Sequence, residues 1–185
     1  MRVIAGTAKG LSLISPEGYD TRPTADRARE GLFNILSPLL PNASFLDIFS
    51  GSGAIGVEAL SRGAARAVFV DSSGKAASVI ESNIKKTGFE RLSEVLCMKS
   101  DDAIVRLGNI SVKFDIIFMD PPYGSNLADK ALSLIADNNL LKPQGVAVVE
   151  MERRDMPPSC FGLCVVRQKS YGIAKFIFYK SELSA

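Results

Sequence analysis

The sequence contains no histidine among its 185 residues. This absence excludes histidine general bases, Ser-His triads and the common histidine-based zinc sites, so no metal is expected. Its three cysteines, Cys97, Cys160 and Cys164, form no CxxC pair, and we expect buried, reduced thiols in a cytoplasmic protein. Any chemistry must therefore depend on carboxylates, backbone groups and a cofactor.

Long apolar runs are also missing: none approaches the roughly 20 residues of a membrane-spanning helix, and no signal-peptide pattern is present. Hydrophobic residues make up 46% of the chain and charged residues 23%, as is ordinary for a soluble globular domain. Because no exposed apolar stripe is evident, we expect a monomer without membrane association.

The net charge is small, +2, and by itself indicates no nucleic-acid partner. The stretch from Met151 to Lys180 is more basic, with six basic residues against two acidic ones. This stretch is either a solvated surface or a nucleic-acid contact, and charge alone does not separate the two.

Strand-like and helix-like patterns alternate from residue 44 onward, which predicts a parallel sheet with helices on both faces. Two further strand-like runs follow with no helix between them, so they must pair as an antiparallel hairpin. The fold class is thus α/β, a doubly wound sheet. Predicted strands are Phe45–Phe49, Ala67–Asp71, Glu94–Met98, Phe114–Met119, Val146–Met151, Cys164–Lys169 and Ala174–Lys180, and predicted helices are Ala54–Leu60, Lys75–Lys86, Ala103–Leu107 and Ala128–Ala136.

Residues 1–43 precede this core, which we place at 44–185. Arg2–Ile4 and Leu11–Ile14 are predicted to form a small hairpin. Thr24 is predicted to cap a helix that ends at Leu36 and contains Gly31, a residue that costs roughly 1 kcal/mol relative to alanine inside a helix.

A glycine-rich turn follows the first core strand. Gly51, Gly53 and Gly56 match the G-x-G-x-x-G pattern, and Asp71 ends the second strand 20 residues after Gly51. Such glycines allow a tight turn close to a ligand, and the acid accepts ribose hydroxyls. By itself this pattern is compatible with NAD.

Two acidic positions favour S-adenosylmethionine over NAD. Asp47 stands near the end of the first strand, where a carboxylate is costly unless it meets a cation such as the α-amino group of methionine. Asp102 follows the third strand and is placed to accept a hydrogen bond from an adenine amine. The alternative for Asp102 is a plain N-cap of the helix that starts at Ala103.

The segment Asp120-Pro121-Pro122-Tyr123 follows the fourth strand, where open α/β sheets bind their ligands. The Asp120 carboxylate and the Pro121 carbonyl can each accept one hydrogen of an exocyclic base amine, which directs the nitrogen lone pair at a methyl donor. Tyr123 would stack on the base. The alternative is an ordinary loop, since Pro-Pro is common in turns.

These residues resemble class I S-adenosylmethionine-dependent methyltransferases that act on amines. The stretches RVIAG (residues 2–6), RPTADRARE (22–30) and GSGAIGVEALSRG (51–63) narrow the resemblance to the bacterial RsmD family, which methylates N2 of a guanine in 16S ribosomal RNA. The resemblance covers nearly the whole chain. It implies the Rossmann-like class I sheet with seven strands in the order 3-2-1-4-5-7-6, and the small ribosomal subunit as partner.

The resemblance also implies roles for individual residues. Residues 1–43 would face the RNA, although their hairpin is less basic than is usual in the family, and Gly31 stands where a β-branched or small residue is usual. The implied catalytic residues are Asp120, Pro121, Pro122 and Tyr123; the implied cofactor-binding residues are Asp47, Phe49, Gly51, Gly53, Asp71, Asp102 and Ala103; the implied substrate residues are Arg22, Thr24, Asp26 and Arg29.

Three alternatives stay open at this point. The Asp-Pro-Pro-Tyr segment also suits an adenine-N6 or cytosine-N4 methyltransferase acting on DNA or RNA. An NAD-dependent oxidoreductase would use the same glycine turn but leaves Asp47 and the proline pair unexplained. A non-catalytic RNA-binding assembly factor would retain the cofactor site without the reaction.

Overall fold

The computed structural model describes residues 1–15, 23–122 and 126–182. For residues 23–25 the description is limited to the backbone. One seven-stranded sheet has the strand order β3-β2-β1-β4-β5-β7-β6, which confirms the predicted class I arrangement. The strands are β1 (Ser44–Ile48), β2 (Arg66–Asp71), β3 (Ser93–Cys97), β4 (Phe114–Met119), β5 (Leu141–Glu152), β6 (Leu163–Tyr171) and β7 (Ala174–Ser181).

Five α-helices cover the two faces of the sheet. They are α1 (Pro23–Leu36), α2 (Ala54–Ser61), α3 (Gly74–Thr87), α4 (Ser100–Asn109) and α5 (Leu127–Asp137), and short 3-10 turns occupy Ser37–Leu39 and Glu90–Leu92. Among the described residues, no helix is both long enough and apolar enough to cross a membrane.

Strand residues alternate between two hydrophobic clusters because successive side chains point to opposite faces. Phe45, Phe69 and Phe118 join α1, α2 and α3 on one face. Leu46 and Ile117 join α4 and α5 on the other. Burial on both faces explains why the parallel strands read as nearly continuous apolar runs.

The sheet reverses direction of winding between β1 and β4. β1 pairs with β2 on one side and with β4 on the other, and Ile48 lies opposite Met119 at the carboxyl ends of β1 and β4. Open α/β sheets bind ligands in the crevice at such a switch point. The residues that follow these two strands are therefore the first candidates for a site.

The predicted terminal hairpin is confirmed: β6 and β7 pair antiparallel, and β7 also pairs antiparallel with β5. The predicted small N-terminal hairpin is present but short: Arg2 and Ser12 form an antiparallel bridge, with the Val3 N–H donating to the Leu11 carbonyl at 3.0 Å and the Leu13 N–H to the Met1 carbonyl at 2.8 Å. The segment also packs on α2, where the Thr7 N–H donates to the Ser61 carbonyl at 2.8 Å. Val3 belongs to the same buried cluster as Phe45 of the sheet.

Two further sequence expectations need correction. Helix α1 begins at Pro23, so Thr24 lies within its first turn and does not precede it as a cap. Cys97 is exposed at the end of an edge strand, and Cys160 and Cys164 are half-buried, so the three thiols are free but not fully buried.

Gly31 has a packing reason that helix propensity does not reveal. A Cβ atom at Gly31 would lie 2.2 Å from Cζ of Tyr171, the last residue of β6. The glycine therefore lets α1 approach the C-terminal hairpin closely, and its cost in helix propensity is offset by this contact.

Gly56 allows an equally close approach between α2 and the sheet. A Cβ atom there would lie 2.3 Å from Cε1 of Phe69, whose side chain has no exposed surface. This is the role of the third glycine in the fingerprint, which lets the helix pack tightly on its neighbouring strand.

Gly56→Ala is expected to lower the free energy of unfolding by about 1–3 kcal/mol, although alanine favours helix, because the buried Phe69 ring cannot move without strain. Chemical denaturation measures the change. Gly74→Ala is the matched control, since it also lies in a helix but meets no atom within 4 Å. Equal stability of the two variants would contradict this account of Gly56.

Candidate active site

The loop after β1 turns sharply through several left-handed residues. Phe49 has φ 62°, an unusual value for a side chain of its size, and Gly51 and Gly53 have φ 55° and 73°. The Ser50 hydroxyl donates to the Asp47 carbonyl at 2.6 Å and accepts from the Val70 N–H at 3.0 Å. These hydrogen bonds fix the loop to both flanking strands and hold its left-handed residues in their strained conformation, as is common at ligand sites.

Asp47 is a buried carboxylate at the switch point, with 1% of its surface exposed. Its Oδ2 accepts a hydrogen bond from the Gly56 N–H in the first turn of α2 at 2.9 Å. Burial raises the pKa of Asp47 well above its usual value, the carboxylates of Asp120 and Asp71 raise it further, and the Gly56 hydrogen bond opposes this. No lysine or arginine of the described residues forms an ion pair with it.

Asp71 closes the loop from the neighbouring strand. Its Oδ2 accepts from the Gly51 N–H and its Oδ1 from the Ser73 N–H, both at 2.9 Å. The carboxylate is therefore oriented by the backbone at the end of β2, where a ribose hydroxyl would meet it.

The predicted adenine side of the site lies at the start of α4. This helix begins at Ser100, so Asp102 stands inside its first turn and does not serve as the cap of a helix at Ala103. Asp102 is exposed, whereas Ala103 is fully buried among apolar residues. Asp101 is ion-paired with Lys130 of α5 at 2.5 Å.

Asp120 and Pro121 follow β4 directly beside the end of β1, where the Asp120 N–H lies 3.4 Å from the Ile48 carbonyl. Asp120 is exposed at the rim of the cleft, and partial desolvation at this position raises its pKa to about 6. Pro121 is buried and Pro122 exposed. Tyr123 lies outside the described residues.

A cavity of about 540 Å³ opens next to the two prolines. Its wall on the sheet side comes from the end of β5, including Glu150, and its far wall comes from Met156 and Pro158. Sequence reasoning missed Glu150, although it is the single charged residue of the Val146–Met151 run and that signal was available. Burial, and then the field of Asp120, raise the pKa of Glu150 to about 8.

Sequence reasoning also missed two buried residues that hold the N-terminal segment. Glu58 of α2, with no exposed surface, accepts from the Ile4 N–H at 2.7 Å and the Ala5 N–H at 3.0 Å. Asn83 of α3 exchanges two hydrogen bonds with the Ile14 backbone and donates to the Ser52 carbonyl of the glycine loop at 2.9 Å. Neither contact has a local sequence signal, because each joins segments more than 30 residues apart.

The predicted substrate residues separate into two groups. Arg22 and the Thr24 side chain lie outside the described residues. Arg29 is buried, and its Nη2 donates to the Arg2 carbonyl at 2.5 Å and to Asp26 at 3.1 Å. Burial lowers the pKa of Arg29, while Glu58 and Asp26 act in the opposite direction. This arginine joins α1 to the N-terminal segment and does not face solvent.

Comparison with known proteins shows the family of the chain. The family described as "Conserved hypothetical protein 95" matches residues 1–180. Ribosomal RNA small subunit methyltransferase D of Haemophilus influenzae is 36% identical over 185 residues, covering 98% of this chain and 94% of that protein. The Escherichia coli protein of the same name is 32% identical, covering 98% of this chain and 90% of its own length.

Solved structures agree as well. The Escherichia coli protein yhhF superposes with a TM-score of 0.84 at 32% identity, covering 98% of both chains. The fold and the loop after β1 define a class I S-adenosylmethionine-dependent methyltransferase architecture. Within that class, the chain belongs to the RsmD family.

Asp47→Asn is expected to raise thermal stability at pH 8 and to change it little near pH 4. The folded protein binds the Asp47 proton more tightly than the unfolded chain does, so wild-type stability falls as pH rises from about 4 toward the raised pKa. Asparagine does not titrate and can still accept the Gly56 hydrogen bond.

The measurement is the difference in melting temperature between variant and wild type across this pH range. Asp137→Asn, an exposed position at the end of α5, is the control. A stability difference that grows toward acid pH would have the wrong sign and would refute the assigned cause.

Proposed function

We propose that this protein transfers a methyl group from S-adenosylmethionine to the exocyclic N2 amine of a guanine in 16S ribosomal RNA of the small subunit. The observation that carries the proposal is the juxtaposition of Asp120-Pro121 with the buried, cation-free Asp47 across the ends of β4 and β1. The names of the relatives support ribosomal RNA as the substrate class.

The cofactor would lie along the ends of β1, β2 and β3. Asp47 fits an α-amino group, because a buried carboxylate without a cation is stabilised by one. Phe49, Gly51 and Gly53 form the loop that the methionine part of the cofactor would approach closely. Asp71 is suited to bind the ribose hydroxyls. Asp102 and Ala103 are suited to bind the adenine. Bound S-adenosylmethionine supplies an electrophilic methyl group on a sulfonium sulfur.

Asp120 and the Pro121 carbonyl would hold the target amine. Each accepts one amine hydrogen, so the nitrogen lone pair points toward the methyl group, and alignment of the two reactants lowers the barrier. Asp120 is ionised at neutral pH and accepts the proton that leaves the nitrogen after transfer. Pro122 would keep this short segment rigid, and the stacking role of Tyr123 stays a prediction.

The RNA side would combine two surfaces. Asp26 and Arg29 hold the N-terminal segment in place, and Arg22 and Thr24 precede or begin the same helix. The basic stretch near the carboxyl terminus offers charges that reach solvent. Of its six basic residues, the exposed ones are Arg153, Arg154, Arg167 and Lys169, while Lys175 is buried and Lys180 half-buried.

One experiment separates this function from its alternatives. Purified protein is incubated with small subunits that lack the modification, and methylated nucleotides are mapped by mass. Guanine-N2 methylation supports the proposal, whereas methylated adenine or cytosine would favour the other amine-methylating enzymes. No transfer to any nucleic acid would favour the assembly factor, or an oxidoreductase if NAD binds.

Asp120→Asn is expected to lower kcat at least about 100-fold, since general-base and positioning residues typically contribute this much. Asparagine keeps the size of the side chain but accepts no proton. In the wild type, the rate should rise with pH through about 6, because the ionised form is the active one. Asp137→Asn should behave as wild type, and full activity of Asp120→Asn would rule out the role assigned to Asp120.

Arg167→Ala and Lys169→Ala, on the edge strand β6, are each expected to flatten the salt dependence of RNA binding by about one unit of slope. The measurement is the logarithm of the binding constant against the logarithm of the salt concentration. Lys85→Ala on α3, which packs at the opposite edge of the sheet, is the control. Unchanged slopes for both β6 variants would place the RNA elsewhere.

A further inference from the structure

Glu150 stands beside Asp120 at the carboxyl end of the sheet. β4 and β5 are parallel neighbours with Met119 opposite Val149, so the next residues, Asp120 and Glu150, follow at the same level. Strand alternation directs both toward the face that contains Phe118 and Val148. Glu150 is half-buried, and its strand end also borders the 540 Å³ cavity that the two prolines of the catalytic segment line from the α5 side.

The two carboxyl groups differ in charge at neutral pH. Partial desolvation raises the pKa of Asp120 to about 6, whereas burial together with the field of Asp120 raises the pKa of Glu150 to about 8. Between these values the pair shares one proton, and the negative charge of Asp120 favours that proton on Glu150. Asp120 is then purely an acceptor, while Glu150 presents one acceptor and one donor.

Other charged groups near Glu150 are engaged elsewhere. Lys175 of the adjacent strand β7 lies on the opposite face and donates to the Asp155 carbonyl. Glu152, two residues along β5, is paired with Arg154 at 2.8 Å. Within the described part of the chain, no cation forms an ion pair with Glu150, so nothing there opposes its neutral form.

We propose that Glu150 is the residue that selects guanine: its carbonyl oxygen accepts the N1–H of the base and its hydroxyl donates to O6, while Asp120 and the Pro121 carbonyl hold N2. This inference rests on the proposed function and assigns the choice of base within it. The arrangement places two neighbouring strand ends along the Watson–Crick edge of one base.

The donor and acceptor order on the base explains the selectivity. When guanine is held by N2, the next groups along its Watson–Crick edge are a donor, N1–H, and then an acceptor, O6. A neutral carboxylic acid offers one acceptor and one donor and therefore complements this pair. Adenine held by N6 next presents the unprotonated N1, and cytosine held by N4 presents two acceptors, N3 and O2. An acid that turned its hydroxyl toward this first acceptor would leave its carbonyl facing C2–H of adenine or the acceptor O2 of cytosine, so each wrong base loses at least one of the two hydrogen bonds.

The test uses small subunits assembled from RNA with 2-aminopurine in place of the methylated guanine. This base keeps the N2 amine but lacks both N1–H and O6. Wild-type enzyme is expected to prefer guanine by about 100-fold in kcat/KM, as expected when buried polar groups lose their partners. Glu150→Ala should lose most of this preference, because its guanine rate falls while its 2-aminopurine rate changes little.

Glu150→Gln keeps the order of acceptor and donor without titrating. It should methylate guanine within a few-fold of wild type and should not show the decline above pH 8 that ionisation of Glu150 causes in the wild type. The same decline should be absent from wild-type turnover of 2-aminopurine, which tests the inference without any variant. Glu94→Gln, exposed on the distant edge strand β3, is the matched control.

The outcomes are distinct. If Glu150→Ala keeps the full guanine preference, or if the alkaline decline is the same for both bases, this inference is wrong although the enzyme methylates guanine. If the wild type methylates no guanine in the small subunit, the proposed function itself fails. A misfolded alanine variant leaves the glutamine variant and the two wild-type pH profiles to decide.

Discussion

Four carboxyl groups, in or directly after β2, β1, β4 and β5, stand at one end of the sheet, and the surrounding protein opposes the charge of three of them. They are Asp71, Asp47, Asp120 and Glu150. Strand alternation places them on the same face, because each lies two residues after a residue of the same hydrophobic cluster. Among the residues that the structure describes, no lysine or arginine forms an ion pair with any of the four, so this end of the sheet is suited to a cationic ligand and to amine hydrogens.

The chain tolerates Asp47 because the start of α2 faces it. The Gly56 N–H at 2.9 Å belongs to the helix end that carries partial positive charge, and Gly56 can donate there because it packs directly on Phe69. One glycine thus serves both the electrostatics and the packing of the site. The bound Ser50 hydroxyl keeps the loop between them from relaxing.

Sequence patterns located most strands because buried parallel strands give long apolar runs, whereas the order of the strands came from the resemblance to the RsmD family. Sequence reasoning placed the start of β5 at Val146 and not at Leu141, since Pro143 and Gly145 interrupt the pattern where the register shifts against β4. It began α4 at Ala103 because the first turn of that helix is polar. Both errors arise where tertiary pairing overrides local preference.

The candidate site divides in the same way. Asp47, Asp71 and Asp120 were predictable because each ends a recognisable strand or accompanies a motif. Asn83 was not, because an asparagine inside a helix carries no signal of its three hydrogen bonds to two residues, which lie 31 and 69 positions away. Contacts of this kind depend on how the helices pack, which periodicity alone does not specify.

The N-terminal segment has few basic residues. Its contacts with the rest of the protein explain how it is held in position without many charged side chains. Its backbone is bonded to Glu58 and Ser61 of α2 and to Asn83 of α3, all buried, and Arg29 of α1 adds a further bond. Buried, satisfied hydrogen bonds fix a segment far better than exposed charges do. Helices α2 and α3 also hold the glycine loop in place. The N-terminal segment, which is proposed to face the RNA, and the glycine loop, which is proposed to hold the cofactor, are therefore positioned by the same two helices. Displacement of either helix would disturb both.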